Sequence, residues 1–151
     1  MPAAALVLVG ACALSGPSDP TTSRAYQGID RQVLYERTVA ALRASELKVT
    51  GTDPANGTVT AAGSFDGRDW AECSRSLVLV QDIEERHSLV AVPDRNRRVE
   101  LRASIGEGPG GATLTLAPTF TAERVSRSAT APSCRTTGAL ERQIFEAVAQ
   151  A

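Results

Sequence analysis

The 151-residue chain is poor in the residues that usually mark a chemical site. It contains one His, one Trp and three Cys, and only 4% of its residues are aromatic. Acidic and basic residues nearly balance, 17 against 16, for a formal net charge of −1. A nucleic-acid-binding protein usually carries a clear basic excess, so we expect no nucleic-acid partner.

Long apolar stretches are also absent. No run of 18 apolar residues occurs, so we expect no helix of ordinary length to span a membrane. The hydrophobic fraction of 42% is nevertheless enough for a core, and the length fits a single domain. Collagen-like and disordered chains are excluded by the composition.

The first residues predict an export signal and a lipid anchor. An apolar run ends in Val9-Gly10-Ala11-Cys12, which resembles the bacterial lipobox, where small residues precede a cysteine that is acylated and becomes the mature N-terminus. We therefore expect residues 1–11 to be a lipoprotein signal peptide and Cys12 to carry lipid. No Lys or Arg precedes the apolar run; a start site placed late would remove that charged region. The alternative is an apolar N-terminal strand with an ordinary buried Cys12.

The segment after Cys12 predicts a tether. Residues 13–27 are rich in Ser, Thr, Pro and Gly and almost free of large apolar groups. They can therefore bury too little apolar surface to offset the conformational entropy that the segment would lose on ordering. We expect residues 12–27 to be flexible and residues 28–151 to form one periplasmic domain. The acyl chains would anchor it in a membrane, on the periplasmic side of the outer membrane.

Two cysteines remain once Cys12 is acylated. In an oxidising compartment, Cys73 and Cys134 are expected to form a disulfide, with free buried thiols as the alternative. Together with the single His87 they do not provide the spacing of a zinc site, so we expect no metal and no cofactor. A catalytic thiol or hydroxyl would also depend on His87, and no GxSxG or SxxK motif is present, so we expect no enzyme.

The order of hydrophobic patterns predicts an α+β fold. Asp30 is a suitable N-cap for an amphipathic helix over residues 31–45, and a second apolar stripe predicts a C-terminal helix over residues 140–149. Between them lie alternating or β-branched segments typical of strands. The predicted architecture is a mostly antiparallel sheet of five to six strands flanked by the two helices. The expected strands are 47–52, 58–62, 76–81, 88–92, 98–105 and 112–122.

Three features resemble functional motifs. Residues 106–111 satisfy GxGxxG, but a strand pattern follows them where a dinucleotide site needs a helix, so we interpret them as a hairpin turn. Arg95, Arg97 and Arg98 form a basic cluster that is a candidate anion-binding site or, alternatively, a solvated strand entry. Trp70 either packs over a disulfide or is exposed as a contact for a protein partner.

Two segments resemble small proteobacterial periplasmic lipoproteins. They are Asp69-Trp70-Ala71-Glu72-Cys73 and Cys134-Arg135-Thr136-Thr137-Gly138-Ala139-Leu140-Glu141, which opens the last helix. The first helix and the Val49-Thr50 and Asn56–Ala61 strands are similar to lipoprotein domains of the outer-membrane β-barrel assembly machinery. That resemblance implies a helix-grip or TATA-binding-protein-like fold, a non-enzymatic accessory role and a Cys73–Cys134 disulfide.

The function expected from the sequence is therefore binding in the cell envelope. A membrane-anchored lipoprotein would present its sheet face or an exposed strand edge to an envelope protein. The alternative is a protein that binds a small apolar or lipid ligand between helix and sheet, which would require an apolar cavity there.

Overall fold

The computed structural model describes residues 21–81, 84, 86–92, 95–123 and 132–151. Its helices are α1 (Arg31–Ala44) and α2 (Ala139–Gln150). The strands are β1 (Thr22–Gln27), β2 (Lys48–Asp53), β3 (Thr58–Ser64), β4 (Ala71–Cys73), β5 (Ser76–Gln81), β6 (His87–Val92), β7 (Arg95–Gly108), β8 (Gly111–Glu123) and β9 (Cys134–Thr136).

A five-stranded antiparallel sheet forms the centre of the domain, in the order β1-β8-β7-β3-β2. Apolar residues alternate along its long strands, so one face is buried and the other is open to solvent. The buried face presents Val59 and Ala61 of β3, Val99, Leu101, Ala103 and Ile105 of β7, and Ala112, Leu114, Leu116 and Phe120 of β8.

Both helices cover this buried face. Helix α1 begins at the predicted cap, where the Asp30 carboxylate accepts the backbone N–H of Val33 at 2.9 Å. Its apolar stripe includes Leu34 and Leu42, both fully buried, and the hydroxyl of buried Thr38 donates to the Leu34 carbonyl at 2.7 Å. The stripe of α2 contains Ile144 and is likewise fully buried. The fold is thus α+β, with the helices together on one side of the sheet.

The sheet differs from the predicted one in its membership. The predicted strands 76–81 and 88–92 form the hairpin β5–β6, but this hairpin is a separate two-stranded sheet, and β4 with β9 makes another. The fifth strand of the main sheet is β1, which pairs with residues 111–116 of β8 and which the sequence did not predict.

Residues 12–27 were expected to form a flexible tether. This expectation is wrong for residues 22–27, which form β1. The domain therefore begins before residue 28. Only Tyr26 of this strand is buried, so no apolar alternation marks it in the sequence; backbone hydrogen bonds to β8 compensate the ordering entropy instead.

The glycine-rich segment is a turn, as predicted. Gly108 and Gly111 pair as the last residues of β7 and the first of β8, and Pro109-Gly110 connects them. Gly110 has φ of 78°, a left-handed conformation that favours glycine, and its carbonyl accepts the backbone N–H of Gly28 at 2.9 Å. This turn therefore also positions the end of β1.

Tyr26 fastens β1 to the C-terminal helix. Its hydroxyl donates to the carbonyl of Phe145 at 3.3 Å, and the guanidinium of Arg24 lies 4.8 Å from the centre of the Phe145 ring. Burial raises the pKa of Tyr26 above its ordinary value, an effect that the neighbouring Arg24 charge opposes. The phenol therefore remains a donor at neutral pH.

The two buried tyrosines predict a matched stability experiment. Tyr26→Phe removes a hydrogen bond between β1 and α2 and should lower the free energy of unfolding by about 1 kcal/mol. Tyr35→Phe is the control, because the buried Tyr35 hydroxyl has no hydrogen-bond partner within the described part of the chain. We expect it to leave stability unchanged or to raise it. Urea unfolding measures both; equal losses from the two variants would contradict the assignment.

Candidate functional site

The β5–β6 hairpin stands apart from the packed domain. Its strands pair with each other in register from Ser76–Val92 to Gln81–His87. It carries five of the six large exposed apolar side chains of the described residues. They are Leu77 (36% exposed), Leu79 (56%), Val80 (42%), Leu89 (66%) and Val90 (44%); the sixth, Val33 (38%), lies on α1.

Both faces of this hairpin are apolar. Leu77, Leu79 and Leu89 share one face, and Val80 and Val90 share the other, because side chains alternate along each strand and directly paired residues point the same way. An antiparallel hairpin with one solvated face would alternate apolar and polar residues. Apolar side chains on both faces make the hairpin the candidate contact surface of the described residues.

A disulfide-linked ladder lies at the base of the hairpin. Strands β4 and β9 pair antiparallel, with Cys73 opposite Cys134, and the two sulfurs are bonded. The ladder continues toward β5, where Ser74 donates its backbone N–H to the Ser133 carbonyl at 2.8 Å. The hairpin therefore leaves the domain from a covalently fixed point.

Residues 69–73 and 134–141 form this one structural unit. The Trp70 carbonyl accepts the backbone N–H of Thr137 at 3.0 Å, and the Thr136 hydroxyl donates to the buried Glu141 carboxylate at 2.9 Å. Gly138, with φ of 79°, is the N-cap of α2, so neither threonine occupies the cap position. Trp70, Thr136 and Thr137 thus hold the start of α2 against β4.

The basic cluster is divided by the fold. The Arg97 guanidinium lies 5.7 Å from the centre of the buried Phe65 ring, whereas Arg98 is exposed and lines a groove on the open sheet face with Lys48 and Thr121. A register shift between Arg95 and Arg98 interrupts the alternation here. Arg97 and Arg98 therefore lie in different surroundings and do not form one anion-binding site.

Trp70 belongs to the core. Its side chain is only 4% exposed, and the Arg68 guanidinium covers the ring at 4.7 Å from its centre. The expected contact between Trp70 and a partner is therefore wrong, because the ring is part of the buried core and is removed from solvent. Tyr26 and Tyr35 are also buried, at 8% and 6% exposed.

His87 lies exposed at the start of β6, opposite Gln81. Asp66 accepts hydrogen bonds from the Ser64 hydroxyl and from the Arg97 backbone N–H, and so stabilises the loop after β3. Among the described residues, no group of three or more His, Cys, Asp or Glu side chains could hold a metal ion.

The space between helices and sheet is filled by side chains. Leu34, Leu42, Leu114 and Leu116 are all 0% exposed. Open grooves of about 400 to 480 Å³ lie elsewhere: one along β2 beside Arg43, and two on the solvent face of the sheet. The packing does not favour the alternative of an apolar ligand held between helix and sheet.

Cys12 and the expected signal peptide lie outside the described residues. Within the part of the chain that the structure covers, neither helix has the length and hydropathy needed to cross a bilayer.

Sequence reasoning missed the exposed side chains of β5 and β6. The signal was present: Ser76-Leu77-Val78-Leu79-Val80-Gln81 has four consecutive apolar residues, a pattern typical of a strand buried on both faces. In a two-stranded hairpin that pattern leaves one or both faces uncovered.

The disulfide predicts a measurable stabilisation. Because it joins residues separated by 61 positions, replacing both Cys73 and Cys134 by Ala should lower the free energy of unfolding by about 2–4 kcal/mol. Urea unfolding with and without reductant checks this: reductant should destabilise the native protein and leave the double variant unchanged. Glu72→Ala, on the same short strand, is the control and should keep the response to reductant.

Comparisons with known proteins give remote similarities. No protein-family model matches the chain, and no curated protein matches it. A DUF4468 family protein from Bacteroides ovatus is 15% identical, with a TM-score of 0.37; the match covers 78% of this chain and spans 63% of the length of that protein. Ara h 8.0201 is 9% identical with a TM-score of 0.36, over 85% of this chain and 94% of its own. Neither similarity indicates a function.

Proposed function

We propose that this protein is a non-enzymatic binding protein of the bacterial cell envelope. A lipid on Cys12 holds it at the periplasmic side of the outer membrane, and the β5–β6 hairpin contacts its partner. The observation that carries the proposal is the exposed apolar surface on both faces of that hairpin. The buried core of the described residues is filled by side chains of other elements.

The energetics of this surface support binding. Large apolar side chains in water cost free energy in proportion to their exposed area, about 25 cal/mol per Å². Leu79 and Leu89 are 56% and 66% exposed, and the buried core of the described residues is made by other side chains. A partner that covers them gains this free energy.

The cysteines support the proposed periplasmic location. A disulfide between Cys73 and Cys134 is typical of proteins that fold outside the cytoplasm. The lipobox-like Val9-Gly10-Ala11-Cys12 provides an acylation site, and residues 13–21 separate it from β1. As the proposed tether, a segment of that length would span about 15–20 Å, enough to hold the domain near a membrane surface.

The proposed anchor predicts the mass and location of the protein. Protein extracted from membranes should have the mass of a chain beginning at an acylated Cys12, and Cys12→Ser should move it from the membrane to the soluble fraction. Intact mass spectrometry and cell fractionation measure the two effects. A membrane fraction that is unchanged by Cys12→Ser would contradict the anchor.

The proposed contact surface predicts site-specific cross-linking in cells. A photo-reactive amino acid at Leu89, which is 66% exposed, should yield an adduct with an envelope component. The same group at Thr119, exposed on the open face of the sheet, should not. Adducts from Thr119 alone would move the contact to the sheet face and overturn the assignment to the hairpin.

A further inference from the structure

We propose that the outer edge of β2 binds the carboxyl-terminal segment of another protein as an added antiparallel strand. Arg43 and Lys48 hold the terminal carboxylate of that segment. This surface is separate from the β5–β6 hairpin, so the inference goes beyond the proposed function and does not depend on it.

A groove borders the edge of β2. This strand is the last of the main sheet, and within the described residues it pairs only with β3. A groove of about 480 Å³ is lined by Arg43, Leu47 and residues 48–52, and none of these lining residues belongs to β3. The groove therefore lies at the unpaired side of β2. Backbone groups on that side of an edge strand can bond to an extended peptide, and a strand paired with residues 48–52 would be about 17 Å long.

The turn between α1 and β2 brings two cations to one end of this groove. The Ser45 hydroxyl donates to the Leu42 carbonyl at 2.7 Å and closes the helix. Glu46 follows with φ of 66°, a left-handed conformation typical of the residue after a helix. As a result Arg43, in the last turn of α1, and Lys48, the first residue of β2, line the same groove.

Neither cation forms an ion pair with another of the described residues. Both side chains are exposed, and the acidic residues nearest to them along the chain are engaged elsewhere. Glu46 forms an ion pair with Arg68, and Asp53, at the far end of β2, accepts hydrogen bonds from Asn56. This end of the groove is therefore electropositive, and an anionic group of a ligand can enter it without displacing one of these acids.

The position of the cations determines the direction of the added strand. Because β2 runs from Lys48 to Asp53, an antiparallel strand beside it ends near Lys48, whereas a parallel strand begins there. A terminal carboxylate at that point accepts charge-assisted hydrogen bonds from the Arg43 guanidinium and the Lys48 ammonium group. A terminal amine would be repelled. Arg43 also places the last turn of α1 at this end of the groove, so a segment that ends here does not have to pass the helix.

Two features of β2 restrict which segments can pair with it. Lys48 and the register shift between Val49 and Gly51 are devices that protect an exposed edge from unspecific pairing. A strand with a basic end meets like charge at Lys48, and a long regular strand meets the irregular backbone. A short segment that ends in a carboxylate compensates the first feature and is least affected by the second.

A peptide library tests the inference. Hexapeptides randomised at every position are immobilised through their amino ends, with either a free terminal carboxylate or a terminal amide. They are screened with the full chain carrying Cys12→Ser, which excludes acyl chains and a free thiol. We expect free-acid peptides that bind with a Kd below about 100 µM, and at least about tenfold weaker binding of the same sequences as amides. A library without binding peptides, or equal binding of acids and amides, would overturn the inference.

Two substitutions locate the carboxylate. Arg43→Gln and Lys48→Gln should each raise the Kd of a selected free-acid peptide about three- to tenfold and leave the Kd of its amide unchanged. Arg135→Gln is the matched control, because it removes the same charge from an exposed residue of β9 outside the groove. It should change the Kd less than about twofold. All three side chains are exposed, so the variants should fold, and fluorescence anisotropy measures the constants. Equal effects of the three variants would indicate general attraction of an anion to a basic surface and contradict the assignment.

Nuclear magnetic resonance tests the strand pairing. Nuclear Overhauser effects should join the bound peptide to residues 49–52 in antiparallel order, with the last residue of the peptide beside Lys48. Contacts with β1 or with the β5–β6 hairpin instead would place the peptide elsewhere and overturn the inference.

The two proposals fail separately. An adduct through Leu89 without peptide binding at β2 would keep the proposed function and overturn this inference. Carboxylate-dependent binding at β2 without an adduct through Leu89 would keep this inference and overturn the assignment of the envelope contact to the hairpin.

Discussion

The antiparallel ladder between β7 and β8 is the constraint on which the rest of the fold depends. It pairs Arg98 with Thr121 at one end and Gly108 with Gly111 at the other, and the two-residue turn between the glycines sets its register. A slip by one residue would turn Leu101, Leu114 and their neighbours to solvent. Because this register is fixed, one face is continuously apolar, β1 and β3 can add to the outer edges, and both helices have a surface on which to pack.

Among the described residues, the core completed in this way contains no side chain of the β5–β6 hairpin. The residues that fill the core come from the helices, from β1, β3, β7 and β8, and from the segment around Trp70. The disulfide between β4 and β9 fixes the position where the hairpin leaves the domain. A rigid base with an uncovered apolar extension is typical of a surface that binds, since the extension needs a defined orientation but contributes little to the core.

The local patterns predicted most elements, and failed where stability comes from elsewhere. Hydrophobic periodicity, helix-capping residues and turn residues predict four parts of the fold: helices α1 and α2 and the hairpins β2–β3 and β7–β8. They do so because each of these elements buries one side of its own pattern. Strand β1 has one buried side chain, Tyr26, and depends on hydrogen bonds with β8, which no local pattern reveals. The prediction of the functional site failed for a similar reason. Trp70 is buried by contacts distant in sequence, and the register shift before Arg98 divides a basic cluster that looks continuous in the chain.

The apolar faces of the hairpin would accept any complementary protein surface, so they indicate contact without specifying a partner. The orientation of such a contact is set at the base of the hairpin, where the Cys73–Cys134 bond and the hydrogen bond from the Ser74 backbone N–H to the Ser133 carbonyl hold the start of β5 against the segment before β9. A surface held in this way would lose little conformational freedom on binding, so more of the free energy of apolar burial would be kept as affinity.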